Sequence, residues 1–88
     1  MKRFWFEFEF DDVTDYPFGV GYGCGVTAID YDDAINLLKQ KVFKAIPIPK
    51  IRKQIENVNV NDLDQGHVVL NMNPPNYRGI WFPRGYNY

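Results

Sequence analysis

Residues 2–11 read Lys2-Arg3-Phe4-Trp5-Phe6-Glu7-Phe8-Glu9-Phe10-Asp11, and this run decides the fold class. Phe4, Phe6, Phe8 and Phe10 fall on one face and Arg3, Trp5, Glu7 and Glu9 on the other, the period of two that belongs to a β-strand with one buried face. Asp11, Asp12, Asp15 and Pro17 then break the pattern and predict a loop. A second alternation follows, with Gly19, Gly21, Gly23 and Gly25 interleaved by Val20, Tyr22, Cys24 and Val26. It predicts a second strand with a bare glycine face, over which aromatic rings of a neighbouring strand can lie. Pairing with the Phe-rich strand follows from that.

Beyond Thr27-Ala28-Ile29, Asp30 is placed as a helix N-cap, with Asp32 and Asp33 in the first turn, where the helix dipole favours negative charge. Ala34, Ile35, Leu38, Val42 and Phe43 form an apolar stripe at spacings of three and four, and Lys39, Lys41 and Lys44 lie toward the C-terminal end. The spacing predicts a helix over about 31–44, stopped by Ile46-Pro47-Ile48-Pro49, because each proline disfavours helical geometry in the residue before it. Residues 50–60 fit a helix through Ile48, Ile51, Ile55 and Val58, or a strand through the alternation that ends Val58-Asn59-Val60. The strand is preferred, since a sheet of two strands is rarely stable alone. A turn at Asp62–Gly66, a short extended piece at His67–Leu70, a loop at 71–76 and a last strand at Arg78–Phe82 complete the reading. The expected fold is α+β: a three- to four-stranded antiparallel sheet with one helix packed on one face, in one domain spanning 1–88.

An 88-residue chain has a folded surface of roughly 5,400 Å², enough for one modest core. The single cysteine excludes an intramolecular disulfide framework and a multi-cysteine zinc site. No apolar run approaches membrane-spanning length, and Glu7, Glu9, Asp11 and Asp12 interrupt the start before a signal-peptide core forms. A cytoplasmic, reducing location with no membrane association is the expectation. Charge is divided unevenly. Glu7, Glu9, Asp11, Asp12, Asp15, Asp30, Asp32 and Asp33 face only Lys2 and Arg3 in residues 1–33, whereas residues 34–88 carry eight bases against Glu56, Asp62 and Asp64. Either the surface is dipolar, or the halves interleave in space and neutralise one another.

Catalytic groups are few. The glycine run does not make a dinucleotide loop, because Cys24 or Val26 stands where the third glycine belongs and no Gly-Lys-Ser/Thr follows. Cys24 has no lysine or arginine within ten positions and is read as a buried, inert thiol. Asp62, Asp64 and His67 are too few for a metal site, and a turn in which Asp62 or Asp64 accepts backbone N–H groups explains them more simply. Glu7 and Glu9 share a strand face without the desolvation that would separate their pKa values. The chain has no serine, so no Ser-His-Asp set exists. The expectation is a protein without catalytic activity, cofactor or metal.

The least ordinary segment is Asn73–Tyr88. Tyr77, Arg78, Trp81, Arg84, Tyr86 and Tyr88 are the residue types enriched at interface hot spots, and also those that stack on single-stranded RNA. The plainer reading has Ile80 and Phe82 filling the core and Trp81 over the outer face.

Several stretches taken together resemble a small family of bacterial proteins of about this size. They are Phe4-Trp5-Phe6-Glu7-Phe8, Gly23-Cys24-Gly25-Val26-Thr27-Ala28 before Asp32-Asp33-Ala34, Leu63-Asp64-Gln65-Gly66-His67-Val68, Asn71-Met72, Pro74-Pro75 and Arg78-Gly79-Ile80-Trp81-Phe82-Pro83. The resemblance covers nearly the whole chain. In size, acidic half and lack of catalytic groups, such proteins are similar to immunity proteins, which neutralise toxins delivered between competing bacteria. The resemblance implies a cytoplasmic protein-binding inhibitor of a cognate toxin domain, a nuclease for instance, as in contact-dependent growth inhibition. The residues expected at the partner interface are Asp11, Asp12, Asp15, Tyr16, Asp32, Asp33, Tyr77, Arg78 and Trp81. The alternative is a single-stranded RNA-binding domain using the basic, aromatic C-terminal half, and it ranks second because the net charge is not basic.

Overall fold

The computed structural model describes residues 1–86. Four strands, β1 (Lys2–Glu9), β2 (Cys24–Ala28), β3 (Lys50–Glu56) and β4 (Gly79–Phe82), form one antiparallel sheet in the order β3-β1-β2-β4. One helical segment, α1 (Tyr31–Leu37) prolonged by a wider π turn over Leu38–Phe43, completes the α+β fold expected from the sequence. The strand reading of residues 50–56 holds.

The alternation of β1 sets the register. Phe4 faces Val26 and Phe6 faces Cys24 across β2, and Phe4, Phe6, Phe8, Val26, Ala28 and Ile80 pack with Ala34, Leu37, Leu38, Val42 and Phe43 of the helical segment. Asp30 caps α1, accepting the Asp33 N–H at 2.8 Å. The expected helix over 31–44 is present but does not stay α. At 3.6 residues per turn, Phe43 would point about 180° away from Ala34. The wider turn swings it back onto the core, where it is buried and meets Phe8 edge-on at 5.4 Å. Lys44, at φ 53°, ends the segment.

Three expectations are corrected. The second face of the first strand is buried at its middle: Trp5 is 2% exposed and joins a second core with Val58, Val68, Trp81 and Phe82, while Arg3 and Glu9 stay exposed. The cover comes from the excursion between β3 and β4, pinned where the Val58 N–H meets the Arg3 carbonyl (3.0 Å) and the Asn73 N–H meets the Trp81 carbonyl (2.8 Å). The glycine run is not a continuous strand either. Val20–Tyr22 is a 3₁₀ turn, and Gly19 (φ 89°) and Gly23 (φ 129°) take backbone geometry that side chains resist. Gly23 and Gly25 keep the expected role, and the rings over them are indoles, not phenyls: Trp5 of β1 lies over Gly23 and Trp81 over Gly25. Gly25 lies opposite Trp5 and beneath Trp81, whose rings stack at 6.0 Å and 28°. Finally, His67–Leu70 is not extended. Asp64 Oδ1 accepts the N–H groups of Gly66 and His67 (both 2.9 Å), which curls the chain into a turn and then a 3₁₀ turn at Val69–Asn71.

Candidate partner-binding site

The loop after β1 is built by its first aspartate. Asp11 Oδ1 accepts the N–H groups of Val13 (3.0 Å) and Thr14 (2.7 Å), Oδ2 accepts the Thr14 hydroxyl (2.9 Å), and the Asp11 N–H donates to the Tyr16 hydroxyl (3.3 Å). These bonds, the Thr14 N–H foremost, hold the Asp11 carboxyl below its ordinary range. Tyr16 is half-buried, its ring edge-on to Phe10 at 4.9 Å. The far end of the loop is tied down as well, because the Tyr86 hydroxyl donates to the Phe18 carbonyl at 2.8 Å. Asp11 and Tyr16 therefore shape the loop, and Asp12 and Asp15 are its open carboxylates. Between them stands Val13, 91% exposed, and beyond them Phe18, 93% exposed.

The second group of expected residues divides. Asp33 and Arg78 are brought together: Arg78 Nε donates to Oδ2 at 2.8 Å and Nη2 to Oδ1 at 2.5 Å, while Oδ2 also accepts the Ile29 N–H at 3.0 Å. The Arg78 hydrogen bonds, then the Ile29 N–H, bring the Asp33 carboxyl down to about 2. The pair clips the bend just before β4 to the start of α1. Asp32 stays open beside it, at the rim of a 510 Å³ hollow floored by Tyr31, Ile35, Ile48 and Ile51. That hollow shares Ile48 with a second one, 440 Å³, walled by Phe10, Asp11, Thr14 and Tyr16. Tyr77 is 74% exposed. Trp81 is corrected: it is 1% exposed in the second core and offers a partner nothing, because the 57–78 excursion covers the sheet face that the sequence leaves open. Tyr88 lies outside the described residues.

Sequence reasoning missed Val13, Phe18 and Tyr22, weighed His67 only as a metal ligand, and singled out Arg84 as an interface type without placing it in the expected contact set. The rings of Tyr22 and His67 stack at 4.8 Å and 17° beside Phe18 and Arg84. The available signal was Tyr-Pro-Phe-Gly closing an acidic loop, where proline and glycine fix the backbone and leave the phenyl ring no strand to pack into.

The acid–base candidates are otherwise engaged. Glu7 accepts Trp5 Nε1 (2.9 Å) and Arg52 Nη2 (2.8 Å), and Glu9 lies 3.6 Å from Lys50. Asp64 meets His67 Nδ1 at 3.2 Å and is held low, first by the His67 N–H. Burial pushes the Cys24 thiol far up. An open 320 Å³ hollow is walled by Glu7, Asp62 and Asp64 with Trp5, Arg52 and Lys53, and His67 is not in its wall. Among the described residues no group of three or more His, Cys, Asp and Glu side chains gathers to hold a metal ion. No described helix is long and apolar enough to cross a membrane. Comparison with family models, with curated proteins and with solved structures gives no match.

Proposed function

We propose that this chain is a small inhibitor that works by binding another protein, most concretely an immunity protein that neutralises a cognate bacterial toxin domain in the cytoplasm. Its contact surface is the outer side of the 11–18 loop. One observation carries the reading: a loop whose backbone is tied at both ends holds Val13 and Phe18 almost wholly in solvent beside Asp12 and Asp15. Ordering a loop in advance lowers the entropy lost on association. Burying a fully exposed phenylalanine contributes roughly 1.5–3 kcal/mol, the range of an interface hot spot. The flanking carboxylates suit the basic cleft of a nuclease and would steer its approach.

Binding, not catalysis, is also what the titratable groups favour. A general base gains from a raised carboxyl pKa in a partly dry site, and Asp64 is instead held low on an open turn. The nucleic-acid alternative loses its stacking tryptophan to the core and its Arg78 to Asp33.

The test is to look beside this gene for a reading frame ending in a toxic domain, to co-express that domain with this chain, and to purify the complex. Growth should be restored. Phe18→Ala should weaken the complex without changing the melting temperature, and Asp12→Lys with Asp15→Lys should slow association about tenfold at low salt. Continued toxicity on co-expression, or full affinity in both variants, ends the reading. Salt-sensitive binding of single-stranded RNA in place of the protein would favour the alternative.

A further inference from the structure

We propose that the hollow between Phe18–Tyr22 and Pro83–Arg84 is the pocket for one anchor of the partner protein, an aromatic side chain with a carboxylate next to it. The inference rests on the protein-binding reading above and names the chemistry of what is bound.

The hollow has a volume of 330 Å³. Its deep side is Phe82 and Pro83, both buried, and its walls are the exposed Phe18 ring and the stacked pair of Tyr22 and His67. Gly19 makes it possible. At φ 89° a side chain is strained there, and a Cβ would sit 3.0 Å from that of Pro83, so only glycine lets the loop pass this close. The Tyr86 hydroxyl on the Phe18 carbonyl then fixes the rim. Three rings around an open, mostly apolar space match a flat apolar group, because offset and edge contacts between rings add to plain burial.

The charge at the rim selects the rest of the anchor. Arg84 is exposed and has no ion-pair partner among the described residues, and no aspartate or glutamate belongs to the wall. Asp64 holds His67 by Nδ1, so its carboxylate is engaged on the ring from outside the hollow. A ring with an adjacent anion is therefore complementary, and a ring beside a cation is not. A nucleotide carries the same pair of groups. Yet a polynucleotide is a polyanion, and the Asp64 carboxylate stands at the His67 side of the hollow, 3.2 Å from Nδ1, where it repels a run of phosphates. A protein segment bears no such penalty.

The experiment uses the folded ¹⁵N-labelled chain and small probes followed by amide shifts. N-acetyl-phenylalanine should move Gly19, Tyr22, His67 and Arg84 with a millimolar dissociation constant, as expected for a fragment. N-acetyl-phenylalanine amide, which lacks the carboxylate, should bind about fivefold more weakly, as should the acid to Arg84→Gln. N-acetyl-alanine should not bind. Equal binding of acid and amide, no shift at these four residues, or tighter binding of hexauridylate at the same residues would each overturn the proposal. Restored growth on co-expression with no probe binding at these residues ends the proposal for the hollow alone. Probe binding at these four residues without relief of toxicity ends the toxin reading alone.

Discussion

Adding one methyl group at Gly25 tests the central packing of this fold. Gly25 faces Trp5 on β1, and a Cβ built there would lie 2.5 Å from Trp81 Cε3 and well inside contact with the rest of that ring. Ordinary carbon–carbon contact is about 3.5–4.0 Å, so the indole must retreat by about 1 Å. It has nowhere to go, since Trp81 is 1% exposed and stacked on Trp5. Overpacking of this kind costs about 1–3 kcal/mol. The backbone of Gly25 lies outside the left-handed region, so alanine brings no strain of its own and recovers up to about 1 kcal/mol of chain entropy. The middle of the overpacking range less this recovery leaves a net loss of about 1 kcal/mol, which lowers the melting temperature of a domain this size by about 4–8 °C. Trp5 and Trp81 are the only tryptophans, so fluorescence and near-ultraviolet circular dichroism report the stack directly during the melt. Gly21→Ala is the control. A Cβ there meets nothing within 4 Å, and the variant should melt at or slightly above the wild-type temperature. If Gly25→Ala melts within about 2 °C of wild type, or if Gly21→Ala falls equally far, the tryptophan-over-glycine packing is wrong.

Phe6 is fully buried in the core between sheet and helix, and Phe6→Ala should cost about 3–5 kcal/mol, read as the urea midpoint at constant slope. Asp33, whose carboxyl lies near 2 when folded against an unfolded value of about 3.9, stabilises the folded state fully above about pH 5. That contribution fades as the pH falls through about 4 toward 2. Asp33→Asn should therefore be less stable than wild type at pH 7, and the gap should close in acid; a gap independent of pH would contradict the Arg78 pairing. Cys24 is buried and its thiol raised, so a disulfide reagent should label it only as fast as the chain unfolds, and immediate labelling would refute its placement.

What the sequence disclosed follows from which signals are local. The alternation of Phe4 to Phe10 and the stripe from Ala34 to Phe43 are periodic, so the sheet and the helical segment were legible. The cover over Trp5 was not, because Val58, Val60, Leu63, Val68 and Met72 lie at irregular spacing in the excursion and share no period. Trp81 was misplaced for the same reason. The glycines misled because an i, i+2 repeat is shared by a strand and by a turn that needs positive φ at its two ends. At the site, the carboxylates of the 11–15 loop were visible, but which of them the fold consumes was not. Asp11 is spent on its own turn, and Asp33 on an arginine 45 residues away.

That division of labour decides between the two arrangements of charge open at the outset. Lys50 with Glu9, Arg52 with Glu7 and Arg78 with Asp33 each set a base of the second part of the chain against an acid of the first, and Lys2 with Glu56 joins the two parts with the signs reversed. The halves interleave, and each exposed pair contributes little to stability while cancelling charge locally. Asp12, Asp15 and Asp32 are exposed outside these pairs, two of them on the loop that carries Phe18. A long-range dipole between halves would make every carboxylate of the first 33 residues contribute to attracting a basic partner. Local cancellation makes the contribution fall on the loop. Reversing Asp12 and Asp15 should then slow association far more than removing Glu7 or Glu9, whose charge is already answered by Arg52 and Lys50. Equal slowing by both changes would mean that the whole acidic half does the steering, and that the loop is one part of it.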